Sequence, residues 1–254
     1  MNESELSKEF SENVFEGFRN SFFNPEIARR KKEKLISEDF QLLAAQVIFP
    51  PNGELPLIRL NEEVSATVKV KEGYKDKIHD ENYWASHDEV EKIIFEEKEY
   101  QNCGHVTMIR LRDTFILSFD FTYNRGACNK HLIVAKEFLS CAEYCFENKF
   151  FSAFIDNSYS TVELLAKCKL FLATNKKVNE SKTHSVIQTE FNRYHKRSPE
   201  QFTSDEREIL NKLTELRGKA RYLDSEFSSA EIDFENILNT LRSMYSEIKE
   251  RIIQ

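Results

Sequence analysis

Arg217 and Arg221 are the residues in this chain best spaced for chemistry. They lie four apart in LTELRGKARYLD (213–224), so on a helix they share one face. Two guanidiniums on one face can clamp a phosphate, because each presents a planar fork of charged donors that matches paired oxygens. Lys219 adds a cation to the same stretch, and Tyr222 follows with a phenol. A phenol titrates at about pH 10 and is a poor general base near neutrality. The plainer alternative gives each arginine an ion pair with a bundle carboxylate such as Glu163 or Glu215. Tyr222 would then cap the core with its hydroxyl at the edge.

Two further clusters could hold a metal. Cys128, His131, Cys141 and Cys145 form C-x2-H…C-x3-C. Cys141 and Cys145 share a helix face, whereas structural zinc sits on tight knuckles, so the preferred reading is small core hydrophobes. The stretch HDENYWASHDE (79–89) repeats His-Asp-Glu, but no known spacing gathers these groups, and it reads as a polar connection around Trp84. No metal and no cofactor is expected. The chain holds no P-loop, Rossmann glycine pattern, G-x-S-x-G or HExxH, so ATP-driven phosphoryl transfer and triad hydrolysis have no support.

Composition bounds what surrounds these residues. Hydrophobic residues make up 40% of the 254, with 21 Phe, which is enough for packed cores; 6 Gly and 5 Pro favour long regular elements. The net charge is -7, which argues against nonspecific coating of nucleic acid. Between Ser160 and Tyr222, however, 13 Lys and Arg face 8 Asp and Glu, so this stretch alone is basic. No apolar run approaches the roughly 20 residues that span a bilayer. The first ten residues, MNESELSKEF, lack the apolar core of a signal peptide. Five cysteines without framework spacing fit reduced thiols, and a cytoplasmic protein is expected.

The elements follow from hydrophobic period. Phe10, Val14, Phe18 and Phe22 predict a helix over 10–35, interrupted at Asn24-Pro25 and ending in the basic run ARRKKEK (28–34). From Leu42 to Tyr123 the period changes to two. AAQVIF, PLIRL, SATVKVK, KIIFEE, HVTMIRL and TFILSFDFTY read as strands of a mainly antiparallel sheet. Pro50 to Gly53 and Arg112-Asp113 are the turn signals, and Asn124 to Ala127 reads as a hinge. Beyond it the period is helical over 131–148, 150–173, 184–195, 204–223 and 229–252, the second of these apolar nearly all round.

The order and content of FFSAFIDNSYSTVELLAKCKLFLAT, THSVIQTEFNRY and EILNKLTELRGKARYLD resemble the HEPN superfamily of small helical bundles over about 130–225. The family includes prokaryotic RNases, toxins and non-catalytic relatives. Its nucleases are similar to a scheme in which one group activates a ribose hydroxyl, another protonates the leaving oxygen, and a cation stabilises the charged phosphorus. They carry Arg-x(4–6)-His on a late helix and pair two such helices across a dimer. The resemblance places Arg217 on the family arginine. It puts Tyr222 where a catalytic member has histidine, and His184 on a histidine common at the start of the third helix. His184 either sits in the first turn behind a Thr183 or Ser181 cap, or lines the cleft near Arg217 and restores an imidazole. Arg125 and His131 also fit the spacing, but ahead of the first bundle helix. The expectation is an α+β chain. An N-terminal helix and small antiparallel β domain (1–124), for recognition or regulation, precede an all-α HEPN-like bundle (130–254). The function implied is a homodimeric RNA- or nucleotide-binding interaction protein of prokaryotic defence or stress type, as in toxin–antitoxin systems, with a degenerate nuclease motif. Two alternatives remain: an active metal-independent RNase using Arg217 and His184, and a scaffold whose β domain binds protein.

Overall fold

The computed structural model describes residues 13–51, 53–79, 83–95, 101–175, 177–178, 184–197, 203–221 and 232–253. The chain divides into two compact units, Met1–Phe121 and Thr122–Gln254.

In the first unit the described residues open with helix at 13–18. A π-helical turn, Arg19–Phe23, leads into helix α1, Asn24–Lys32. A helix restarts at Asn24-Pro25, after a π-helical turn and not after a loop. Pro25 has no N–H to donate, and the wider turn brings the chain into a first helical turn where that donor is dispensable. The two arginines of the basic run are ion-paired. Arg29 pairs with Glu26 and Glu33, and Arg30 with Glu26 and Glu63. The hydrogen bond from Arg29, against the cost of burial, holds the Glu26 carboxyl down at about 2.

All six period-two runs form strands: β1 (Ala44–Phe49), β2 (Leu57–Leu60), β3 (Ala66–Val70), β4 (Val90–Phe95), β5 (Gly104–Arg110) and β6 (Phe115–Asp120). They make an antiparallel four-stranded sheet, β2-β1-β5-β6, and a separate β3-β4 pair. Every pairing is antiparallel. The register aligns Ala45, Val47, Leu60, Val106 and Met108 on one face, where Phe23 and its helical neighbours Phe15, Phe18 and Phe22 close a core. The reverse face of the two central strands is buried too, and it is polar. Gln46 donates to Thr107 Oγ1 at 2.8 Å, and His105 Nδ1 lies 3.2 Å from the same oxygen. Phe95 of β4 meets His105 edge-on at 4.5 Å.

The second unit is helical: α2 (Arg125–Glu147), α3 (Phe151–Leu172), α4 (His184–Arg197), α5 (Ser204–Arg221) and α6 (Phe234–Ile253). Helix α2 starts earlier than its period suggested, so Arg125, Gly126 and Ala127 are helical and not a hinge. The turn into it is made at Asn124, which adopts φ 57° and donates its side-chain amide to the Phe171 carbonyl at 2.8 Å. Asn tolerates that left-handed conformation better than most residues. Helix α3 is central, touching α2, α4, α5 and α6. Its nearly all-round apolar surface is the consequence. Leu165, Leu170, Leu213 and Phe191 are among the fully buried side chains, each contributing about 1.5–3 kcal/mol by leaving water.

Inside this core lies one buried cation. Lys169 donates to Glu206 at 2.6 Å and to Glu247 at 2.7 Å, joining α3, α5 and α6.

Candidate phosphate-binding face

Helix α3 carries Asp156, Tyr159 and Glu163 at intervals of three and four. Such spacing puts the three on one stripe. The stripe meets α5, which supplies Arg217 and Arg221 one turn apart, and the first residue of α4, His184. Arg217 Nε donates to Asp156 Oδ1 at 3.0 Å, and Arg221 donates to Asp156 Oδ2 at 2.8 Å. One carboxylate therefore holds both guanidiniums. The Arg217 guanidinium lies over the Tyr159 ring, 4.3 Å from its centroid, a cation–π contact that fixes its plane. On the far side of Tyr159, His184 pairs with Glu163, its ring centroid 6.2 Å from that of Tyr159. The result is a continuous polar string: His184, Glu163, Tyr159, Arg217, Asp156, Arg221.

Exposure separates the members. Tyr159 is buried at 5%, while the Arg217 and Arg221 side chains are 25% and 48% exposed. The phenol is thus a floor and the guanidiniums a solvent-open rim. Partial burial opposes ionisation of Asp156, but hydrogen bonds and charge from Arg221 and Arg217 outweigh it and hold its carboxyl below its ordinary value. Burial, with the negative charge of Glu163, pushes the Tyr159 phenol up, so it stays protonated at neutral pH.

The residues expected from sequence separate here. Arg217, Arg221 and His184 come to one face. The carboxylate that holds the arginines is Asp156, not Glu163 or Glu215. Glu163 serves His184, and Glu215 pairs with Lys219 at 3.1 Å. Lys219 is two residues from each arginine, about 200° around the helix, so it belongs to another side of α5. Tyr222, Thr183 and Ser181 lie outside the described residues. Sequence reasoning missed Asp156 and Tyr159. The available signal was that Asp156 and Glu163 are the only acids on an otherwise apolar helix.

The other candidates are placed elsewhere. Cys128 is buried, its thiol 3.5 Å from the Cys168 carbonyl, and Cys145 is buried while Cys141 is exposed. His131 donates to the Ala127 carbonyl at 2.9 Å through Nδ1. Among the described residues no group of three or more His, Cys, Asp or Glu is placed to hold a metal ion. Glu89 accepts from the Ser86 amide at 2.8 Å and the Tyr83 hydroxyl at 3.1 Å, a local structural role; the first His-Asp-Glu copy has no described side chains.

Four described helices around a central one make a helical bundle, the architecture that the sequence resemblance called for. Residues 129–252 match the HEPN domain. The match runs through α6, past the span over which the sequence resemblance was drawn. No curated protein and no solved structure matches the chain significantly. Among the described residues, no helix of the HEPN region or of the first unit is long and apolar enough to cross a membrane.

Proposed function

We propose that the HEPN region is a homodimeric module that binds RNA or nucleotide phosphate on the Arg217–Arg221 face without cutting it. The observation that supports this reading is the sharing of one carboxylate by two solvent-open guanidiniums. Asp156 accepts from both and fixes where they stand, one helical turn apart on α5. The face is therefore preorganised, and a phosphodiester would meet two planar guanidiniums already in place. Binding without cleavage follows from the resemblance, since Tyr222 stands where RNA-cutting members have histidine. The β unit would then recognise a protein partner or regulate the bundle. The setting implied is a cytoplasmic protein of prokaryotic defence or stress type, such as one member of a toxin–antitoxin pair.

A second reading has one observation in its favour. The His184–Glu163 pair sits on the same string as Arg217, and a carboxylate-held imidazole is a competent general base. Purified protein separates the readings. Binding alone predicts RNA that co-purifies and stays intact after metal chelation. Cleavage that survives chelation and is lost in His184→Ala would replace the first reading with the second. Absence of RNA from the purified protein, with no binding of single-stranded RNA, would leave the scaffold.

A further inference from the structure

Helix α5 carries Arg207, Asn211, Thr214, Gly218 and Arg221 in alternating steps of four and three. Such steps keep the five on one stripe, with Arg207 about 21 Å along the axis from Arg221. None of the five is acidic and none is buried. A side chain at Gly218 would meet no neighbour within 4 Å, so the stripe is open there. Helix α4 lies alongside, presenting His184, Gln188, Asn192 and His195 in steps of four, four and three. Gln188 Nε2 and Asn192 Nδ2 donate to Asn211 Oδ1, at 2.9 and 3.0 Å. Asn211 Nδ2 and Arg207 Nε donate to Asn192 Oδ1, at 3.0 and 3.2 Å. Both asparagine oxygens are thus taken twice. What Asn192 and Asn211 still offer is N–H, since each amide nitrogen shares one of its two hydrogens.

Arg207 differs from the arginines at the other end of the stripe. Arg217 and Arg221 share Asp156, whereas Arg207 has no carboxylate partner among the described residues and bonds a neutral amide. It is also half-buried. A partly desolvated charge without a counter-charge is stabilised by a ligand that brings one. At the same end, His195 keeps a buried Nδ1 with no hydrogen-bond partner among the described residues. We propose that Arg207 is a second phosphate site, and that the α4–α5 groove takes a single RNA strand along its length. This rests on the phosphate-binding reading of the Arg217–Arg221 face. It decides between the two ligand classes named there, in favour of an oligonucleotide and against a free nucleotide. Stacked nucleotides rise about 3.4 Å each, so the two ends stand about six nucleotides apart. One nucleotide can occupy one end only. A strand on both ends makes its second contact within one molecule, without a second cost of association. The amide N–H groups between suit the carbonyl and hydroxyl oxygens of bases and riboses.

Binding of fluorescent oligouridylates of two and eight nucleotides to the full chain tests this. Wild type should bind the octanucleotide at least about tenfold more tightly than the dinucleotide. Arg207→Gln removes the charge and keeps a donor for Asn192, so the two helices stay in place. It should abolish most of that tenfold difference and lower the salt slope of octanucleotide binding by about 0.7. Dinucleotide affinity and melting temperature should not change. Arg207→Lys keeps the charge and should keep the slope. If Arg207→Gln leaves octanucleotide affinity and slope as in wild type, while Arg217→Ala with Arg221→Ala still weakens binding, the second site is overturned and the arginine face stands. Equal losses at both lengths with a lower melting temperature would mean that Arg207 only holds α4 on α5, and would overturn the second site as well. Failure of wild type to bind either length would overturn both.

Discussion

Asp156 carries the arrangement of the arginine face at the level of single residues. It is short, it projects from an apolar helix, and it accepts from two guanidiniums at once. Its depressed pKa makes the contact visible in stability. The native state binds the proton less readily than the unfolded chain, whose carboxyl titrates near 3.8. The stabilisation is therefore present above that value and lost as pH falls through the lower native value. Asp156→Asn should melt below wild type at pH 6, and the gap should close on acidification below the ordinary carboxylate range. An equal gap at both ends of a thermal melt series would mean that the ion pairs contribute nothing to stability. The arginines were legible in sequence because a spacing of four is local. Asp156 was not, because 61 and 65 residues separate it from its partners and only the fold brings them together. Glu163 illustrates the same limit. Its type suggested an arginine partner, and its position two turns beyond Asp156 on α3 gave it to His184.

Helix α5 is positioned by its first turn. Glu206 Oε2 accepts the Thr203 amide at 3.1 Å, and Thr203 Oγ1 accepts the Glu206 amide at 3.4 Å, a reciprocal cap. The other oxygen of Glu206 accepts from Lys169. One buried carboxylate thus starts α5 and ties it to α3, which fixes where Arg217 and Arg221 arrive about three and four turns later. Lys169→Met should cost about 3–5 kcal/mol, because it leaves Glu206 charged and buried without its cation. Adding Glu206→Gln should recover part of that loss. Burial raises the Glu206 pKa despite Lys169, so acidification should also relieve the single variant, as protonation removes the buried charge. Denaturant midpoints of the three proteins at two pH values check this, and an additive double variant would contradict it. Period alone found the strands and helices, since alternation and three-four spacing are written locally. It misjudged the start of α2, which depends on the side chain of Asn124 reaching a carbonyl of α3. It did not foresee that the turn ahead of Asn24-Pro25 would be π-helical, because such a turn has no period of its own.

The molecule as a whole is two units with different internal logic. The first is an antiparallel sheet with a helical cover on one face and a buried polar row on the other. The second closes around α3. The HEPN match begins four residues into α2 and covers the rest of the second unit. Residues 122–254 expressed alone should give a helical spectrum and one cooperative melt, as a unit with its own core does. An unfolded fragment would mean that the first unit completes the bundle. The polar row that Phe95 of β4 meets had no announcement in the sequence, because Gln46, His105 and Thr107 look like ordinary outward positions until the fold buries them.

Binding of a fluorescent single-stranded RNA across a salt series tests the central claim most directly. Each arginine that neutralises a phosphate contributes about 0.7 to the slope of log affinity against log salt on a single strand. Arg217→Ala with Arg221→Ala should weaken binding at least about tenfold, at about 1.5–3 kcal/mol for each charged contact, and should lower the slope by about 1.4. The protein should remain folded, since both side chains lie at the solvent-open rim. If instead affinity and slope match wild type while the melting temperature falls, Arg217 and Arg221 serve only to hold α5 on Asp156, and this face does not bind phosphate.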